Sequence, residues 1–336
     1  MTKQVVGIGP SIIDVAAQLP ELDLSKCLET LSLKPGQWRR IDYDAVQSLL
    51  EIILGADALL ASAAGLPANV VIRPGSTIAN ALLAMPGDDS LRRALITSIA
   101  LDSGGIDPMA RRFSDDIQAA GITHHGVPVA GRNPVAFVLS SQQRTERTLA
   151  MFPGVADELK GFDLSSLSPD LVMVDAYNLG DHPLGRWLDR VITSRTFQIL
   201  LSLGNYNILT GHLARRILSF LDAGCLTAVC GNLSEFRSLF GGFGGGSESV
   251  SALVERAGTA VPYVLLTQGR DGMMASWQGQ RIAMPATWMH RAAIRSTAGA
   301  GDAAAGVFAA GILRRQEPTE VLKGAASAAA QALLRL

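Results

Sequence analysis

An excess of charge of either sign is missing from this chain: 29 Lys and Arg residues stand against 30 Asp and Glu, a formal net charge of −1. Without a basic surplus there is no electrostatic footprint for nucleic acid or for an anionic membrane surface. Charged residues of both signs reach only 18% while hydrophobic ones reach 48%, which excludes the core-poor composition of a disordered chain. Aromatics are sparse, and Trp38, Trp187, Trp277 and Trp288 are too scattered for a base-stacking platform. Cys27, Cys225 and Cys230 are an odd number without C-x-x-C spacing, a pattern of idle thiols in a cytoplasmic protein. His124, His125, His182, His212 and His290 never take the H-E-x-x-H spacing of a zinc site. The most membrane-like stretch, Ala303 to Leu313, falls well short of the roughly 20 residues needed to span. No signal-peptide pattern follows Met1-Thr2-Lys3-Gln4. These absences lead us to expect a cytoplasmic protein without nucleic-acid or membrane partners.

What is present is glycine, 34 of 336 residues, and a rhythm of short apolar runs between longer helical patterns. Gln4 to Ile8, Leu95 to Ile99, Leu171 to Asp175, Gln198 to Ser202, Leu226 to Cys230 and Tyr263 to Thr267 read as buried strands. Helical spacing predicts Tyr43 to Gly55, Ile78 to Met85, Pro108 to Ala120, and helices around His182 to Ser194, Gly211 to Ala223 and Leu233 to Phe240. Strands alternating with helices imply an α/β fold of three layers around a mainly parallel central sheet. Ile12 to Leu19 and Pro134 to Met151 break that rhythm with shorter β-like alternation and predict a small antiparallel sheet beside it. The glycine patch Gly241 to Ser247 lacks the G-K-[ST] ending of a phosphate loop and reads as a surface loop.

Chemistry concentrates in Ser296-Thr297-Ala298-Gly299-Ala300-Gly301-Asp302 and the Ala/Gly-rich helix behind it. Glycines allow backbone N–H groups to converge, and the helix start adds partial positive charge, which together make an anion site. A carboxylate at the mouth of such a site repels anions. It makes sense where a hydroxyl attacking phosphorus must give up its proton. Helix capping by Asp302 is the plainer reading, and the spacing alone leaves both open.

The segment TAGAGDAAAGVFAAGIL resembles the carboxy-terminal signature, DTTGAGDAFxAGF, of the ribokinase-like (phosphofructokinase B) carbohydrate kinases. Four further segments resemble family motifs in family order: Gly7 to Asp14 (G-x-G-x-x-x-x-D), Pro74 to Asn80 (P-G-G-S-A-A-N), Asn232 to Glu235 (N-x-x-E) and Thr267 to Gly272 (T-x-G-x-x-G). The resemblance implies a ribokinase-like kinase domain over the whole chain, with lid segments at roughly residues 11–40 and 123–151 forming a small β-sheet lid. It implies Asp302 as catalytic base beside an anion hole at Gly299, Ala300 and Gly301. Asp14, Gly75, Ser76 and Asn80 would meet the acceptor. Asn232 and Glu235 would organise Mg²⁺ through water, and Thr267, Gly269 and Gly272 would line the nucleotide. ATP and Mg²⁺ are then the cofactors, with a monovalent cation as a further candidate, in a monomer or homodimer. Asn232 and Glu235 also have the spacing of a helix capping box, a purely structural reading.

Two segments, Leu33 to Gly36 and Glu146-Arg147-Thr148-Leu149, are similar to adenosine-kinase-like members, and Gly75 to Ile78 resembles inosine–guanosine kinases. Arg147 is by that analogy a phosphate clamp, or else an exposed strand arginine. The acceptor is expected to be the hydroxymethyl group of a sugar, with a purine nucleoside as the alternative. The chain departs from the pattern at Ser76, where a second glycine is usual, at Ser296, where Asp is usual, and at Ala304. These departures leave open a non-catalytic sugar- or nucleotide-binding descendant. A dehydrogenase reading of Gly7-x-Gly9 lacks its third glycine, since Ile12 stands there.

Overall fold

The computed structural model describes residues 2–35, 37–55, 66–141, 144–241, 248–290, 293–294 and 299–334, with backbone alone for 144–147. Their elements run β1 (Lys3–Ile8), β2 (Ile13–Leu19), α1 (Glu21–Leu31), β3 (Trp38–Arg40), α2 (Tyr43–Leu54), β4 (Val70–Pro74), α3 (Thr77–Ala84), β5 (Leu91–Asp102), β6 (Gly105–Ile106), α4 (Pro108–Ala119) and β7 (Thr123–Ala130). They continue through β8 (Val135–Ser141), β9 (Arg144–Phe152), β10 (Leu171–Asp175), α5 (Pro183–Thr193), β11 (Ile199–Ser202), α6 (Gly211–Asp222), β12 (Ala228–Asn232) and α7 (Leu233–Gly241). The last are α8 (Val250–Ala260), β13 (Tyr263–Thr267), β14 (Met273–Trp277), β15 (Gln280–Met284), α9 (Ala300–Arg314) and α10 (Pro318–Leu333).

Alternation along each apolar strand sends successive side chains into two helical layers. Val5, Met173, Leu200 and Leu265 pack with Ile78 of α3, Phe308 of α9 and Val321 of α10. Val6, Ile8, Val172, Leu201 and Leu266 pack on the other face with Trp187 of α5, Ile217 of α6 and Leu253 of α8. The sheet between them has the order β15-β14-β13-β12-β11-β10-β1-β5-β6, with β7 also pairing with β5. Along β7-β5-β1-β10-β11-β12-β13 every pairing is parallel; β14 and β15 add an antiparallel edge, and the short β6 pairs antiparallel with β5. This is the three-layer, mainly parallel α/β fold that the alternation of elements predicts.

Strand order reverses between β1 and β10: the chain moves from β1 to β5 in one direction and from β10 to β13 in the other. Such a switch point opens a crevice beyond the carboxyl ends of the strands, the usual place for a ligand in an open α/β sheet. Gly7 and Gly9 lead into β2 rather than into a helix, so the dinucleotide fingerprint is absent there.

A second sheet has the order β3-β9-β8-β2-β4. It is mixed, not antiparallel as the alternation suggests, because β2 pairs in parallel with β8 and β3 with β9. Thr123–Ala130, inside the second expected lid segment, belongs instead to the large sheet, and Val70–Pro74, outside both segments, forms an edge of the small one. The helix Glu21–Leu31 interrupts the first segment; Leu24, Cys27, Leu28 and Leu31 carry its buried stripe at helical spacing. Asp42 caps α2 by accepting from Ala45 N, and Asp107 with Pro108 starts α4, so both begin where their sequence signals stand. No described helix is long and apolar enough to cross a membrane.

Candidate active site

Asp14 lies on β2 directly across from Arg73 on β4, and its carboxyl points at the turn that starts α3. A Cβ on Gly75 would stand 2.1 Å from Asp14 Oδ1, so only glycine lets that carboxyl occupy its place. Burial pushes Asp14 up to about 6, with Arg73 pulling it down and Asp302 pushing it further up. Ser76 follows with φ 72 and ψ 147, a conformation that is essentially glycine's own, while its Oγ accepts from Ala79 N at 3.3 Å to cap α3. One turn on, Asn80 Nδ2 donates to Asp302 Oδ2 at 3.2 Å across a separation of 222 residues.

That bond is possible because α3 and α9 touch backbone to backbone. A Cβ on Gly306 would come 2.0 Å from the Ala81 carbonyl oxygen, so the small residues of α9 set the distance between the helices. The helix starts after Gly299, held at φ 81, with no side chain capping it. The amides of Ala300, Gly301 and Asp302 precede the first intrahelical bond, from Ala303 N to Gly299 O, and have no partner within the helix. Among the described residues nothing lies within 4 Å of where a Cβ on Gly301 would be. Asp302 is half-buried there, and burial raises its carboxyl to about 6 against the pull of Asn80. Ser296, Thr297 and Ala298 lie outside the described residues.

On the other side of the crevice Asn232 and Glu235 form the capping box that their spacing allows. Glu235 Oε2 accepts from Asn232 N at 2.8 Å, Oε1 accepts from Asn232 Nδ2 at 2.5 Å, and Asn232 Oδ1 accepts from Glu235 N at 3.0 Å. Glu235 is only 6% exposed, and burial raises it to about 7, with Asp302 adding to the rise. Thr267 is the register partner of Asn232 on the neighbouring strand. Gly269 and Gly272 both take positive φ, and a Cβ on Gly272 would strike the Met284 carbonyl oxygen at 2.2 Å. Arg147 lies on β9, but its side chain is outside the described residues.

Asp14, Gly75, Asn80, Asp302 and Glu235 are thus linked around one centre by contact or by charge, while Thr267, Gly269 and Gly272 border it at the next strand. Three residues that sequence reasoning passed over join them after β10. Asp175 is 2% exposed, and burial raises it to about 7, with Asp302 contributing. Its Oδ1 accepts from Asn178 N at 3.1 Å. The Asn178 side chain is also buried, with Nδ2 unpartnered among the described residues, and Tyr177 between them is exposed. The available signal was an acid closing the apolar run LVMVD, the same position in its strand that Asn232 holds in another. Carboxyls raised chiefly by burial, and further by the neighbouring Asp302, offer hard oxygens suited to a divalent cation and its waters. Among the described residues no three His, Cys, Asp or Glu converge as a direct ligand cluster.

The fold recurs in solved structures of low identity. A probable sugar kinase from Rhizobium etli CFN 42 is 16% identical with a TM-score of 0.76, covering 100% of this chain and 94% of that one. Adenosine kinase from Sinorhizobium meliloti is 17% identical with a TM-score of 0.75, covering 100% and 95%. Adenosine kinase from Trypanosoma brucei brucei is 14% identical with a TM-score of 0.77, and both chains are covered completely. No curated protein matches in sequence. The family model described as pfkB family carbohydrate kinase matches residues 91–336, the part that carries Asn232, Glu235, Thr267 and the α9 start. With well over half of its length matched, this chain belongs to the pfkB family of carbohydrate kinases, phosphotransferases that use ATP and take an alcohol group as acceptor.

Proposed function

We propose that the protein is a sugar kinase that moves the γ-phosphoryl group of ATP to a hydroxymethyl group. The observation that carries this reading is the Asn80–Asp302 hydrogen bond, which joins the acceptor-side turn to the start of α9. Asp302, with its carboxyl raised to about 6, is ionised at neutral pH yet basic enough to take a proton from the attacking hydroxyl. The amides of Ala300 and Gly301, which precede the first intrahelical bond, would face the transferring group, supported by the helix dipole. Asp14, held by Gly75, and Asn80 offer acceptor and donor atoms to vicinal hydroxyls. Asn232 and Glu235 would hold Mg²⁺ through water; when bound, the ion neutralises phosphate charge. Glu235 fits that role because its buried carboxyl is held by Asn232, and among the described residues no Lys or Arg lowers it. The small sheet, which brings Asp14 to the crevice, would act as the lid that excludes water.

A purine nucleoside acceptor is the second reading, favoured by the adenosine kinases of the same fold. ADP release with Mg·ATP against D-ribose, D-fructose, D-gluconate, adenosine and inosine decides between them. Asp302→Asn is expected to lose turnover by about 10²–10⁴-fold, the usual worth of a general base, while still binding ATP. Near-normal kcat in that variant refutes the base assignment. ATP binding without any turnover points to a binding protein descended from the fold.

A further inference from the structure

Acceptor and nucleotide residues leave this sheet from different strands, and two strands lie between them. Asp14 follows β1, whereas Asn232 and Thr267 close β12 and β13. In the order β13-β12-β11-β10-β1, whatever stands after β10 and β11 occupies the middle of the crevice. Parallel neighbours are spaced about 4.8 Å apart, so β1 and β12 are separated by about 14 Å, a gap of the order that a polyphosphate chain bridges.

Tyr177 stands in that middle position. It follows Asp175 at the end of β10 and leans across to the turn after β11, where a Cβ on Gly204 would come 2.7 and 2.8 Å from ring atoms Cε2 and Cδ2. Gly204 has φ +73, so the ring rests on a bare backbone that no other residue would leave free. Despite that support the residue is 47% exposed. Burial of the hydroxyl is the main cause that raises it to about 12; the Asn205 side chain, hydrogen-bonded to it, pulls it back, and Asp175, Glu235 and Asp302 add smaller rises. A tyrosine hydroxyl, with an ordinary value of about 10, is a proton-bearing donor at neutral pH without any help from its surroundings. A neutral O–H among three carboxyl groups is a donor set where the neighbouring side chains offer acceptors. A phosphoryl group passing between them brings only acceptor oxygens and needs such donors.

We propose that the Tyr177 hydroxyl donates a hydrogen bond to the terminal phosphoryl group of the bound nucleotide, which makes it a further catalytic residue. This inference rests on the kinase reading above. In the step itself the acceptor oxygen bonds to the γ-phosphorus, the bond from that phosphorus to the β,γ-bridging oxygen breaks, ADP leaves, and the acceptor proton goes to Asp302. Tyr177 keeps its proton throughout.

The test is Tyr177→Phe, which retains the ring that packs on Gly204 and removes only the hydroxyl. Calorimetric titration with Mg·ATP and, separately, with Mg·ADP needs no knowledge of the acceptor. We expect the Kd for Mg·ATP to rise about tenfold, the Kd for Mg·ADP to stay within twofold, and the melting temperature to hold. An unchanged Kd for Mg·ATP, or equal losses for both nucleotides, overturns the proposal. Where a panel acceptor is phosphorylated, kcat should fall 10- to 100-fold at unchanged acceptor KM, and a kcat within threefold of wild type also overturns it. Wild-type protein that binds neither nucleotide overturns the kinase reading and this inference together. If Mg·ATP binds but no acceptor is turned over, the ATP-to-ADP comparison still decides on Tyr177.

Discussion

Replacing Asp175 by Asn should make the protein more stable at pH 8 and flatten the pH dependence of its stability. Asp175 closes a strand in the centre of the sheet and is 2% exposed. Burial is the largest cause of its rise from 3.8 to about 7; Asn178 N pulls it back, and Asp302 pushes it up. The native state then holds a proton that the unfolded chain has released, so stability falls as pH rises through this window. The cost is absent below about 3.8 and complete above about 7. Roughly three pH units at about 1.36 kcal/mol each give an upper limit of about 4 kcal/mol. Part of this is shared with Asp302, so removing one charge should return about 2–4 kcal/mol at pH 8. Asparagine keeps the amide oxygen that accepts from Asn178 N and carries no charge. Urea unfolding midpoints at pH 5 and pH 8 measure the effect. The variant should exceed wild type at pH 8 and by less than half as much at pH 5, where the cost has fallen to about 1.6 kcal/mol; it vanishes only below about 3.8, where the unfolded Asp is protonated too. A variant midpoint at pH 8 equal to or below that of wild type refutes the argument.

Ser76→Gly should raise stability by about 1–3 kcal/mol, because φ 72 with ψ 147 strains any residue but glycine and a glycine cap loses little; a lower melting temperature refutes this. Gly75→Ala puts a methyl 2.1 Å from Asp14 Oδ1, so the acceptor KM should rise at least tenfold while the Kd for ATP is unchanged. Equal losses for both ligands would instead mark a global distortion. The acceptor kcat/KM should climb with pH through about 6, as Asp302 and Asp14 lose their protons, and level off above 7. A profile already flat at pH 5 contradicts the raised carboxyl of the base.

Local rules carried much of the fold. The inner strands of the central sheet, β1, β5 and β10 to β13, were legible because each is or contains a short apolar run, and α2 and α4 because capping residues stand where their helices begin. Val70–Pro74 and Met273–Trp277 were not, since neither carries a length or alternation that sets it apart from the segments around it. The mixed pairing of the small sheet was out of reach for a different reason: alternation fixes which face of a strand is buried but not the direction of its neighbour. Asp175 and Tyr177 escaped because only the carboxyl ends of β10 and β11, adjacent in space and far from Asp302 in sequence, give them a place in the crevice.

By itself the sequence determined the layer architecture and the residue types that phosphoryl transfer requires. Periodicity dictates local structure, and five short motifs keep their order along one chain. Tertiary structure decided which of those residues meet. Gly306 on Ala81 lets α9 lie close against α3, and the packing of these two helices brings Asn80 to Asp302. It also decided their acidity, since four carboxyls with ordinary values in water are raised to between about 6 and 7 only where folding buries them around one another.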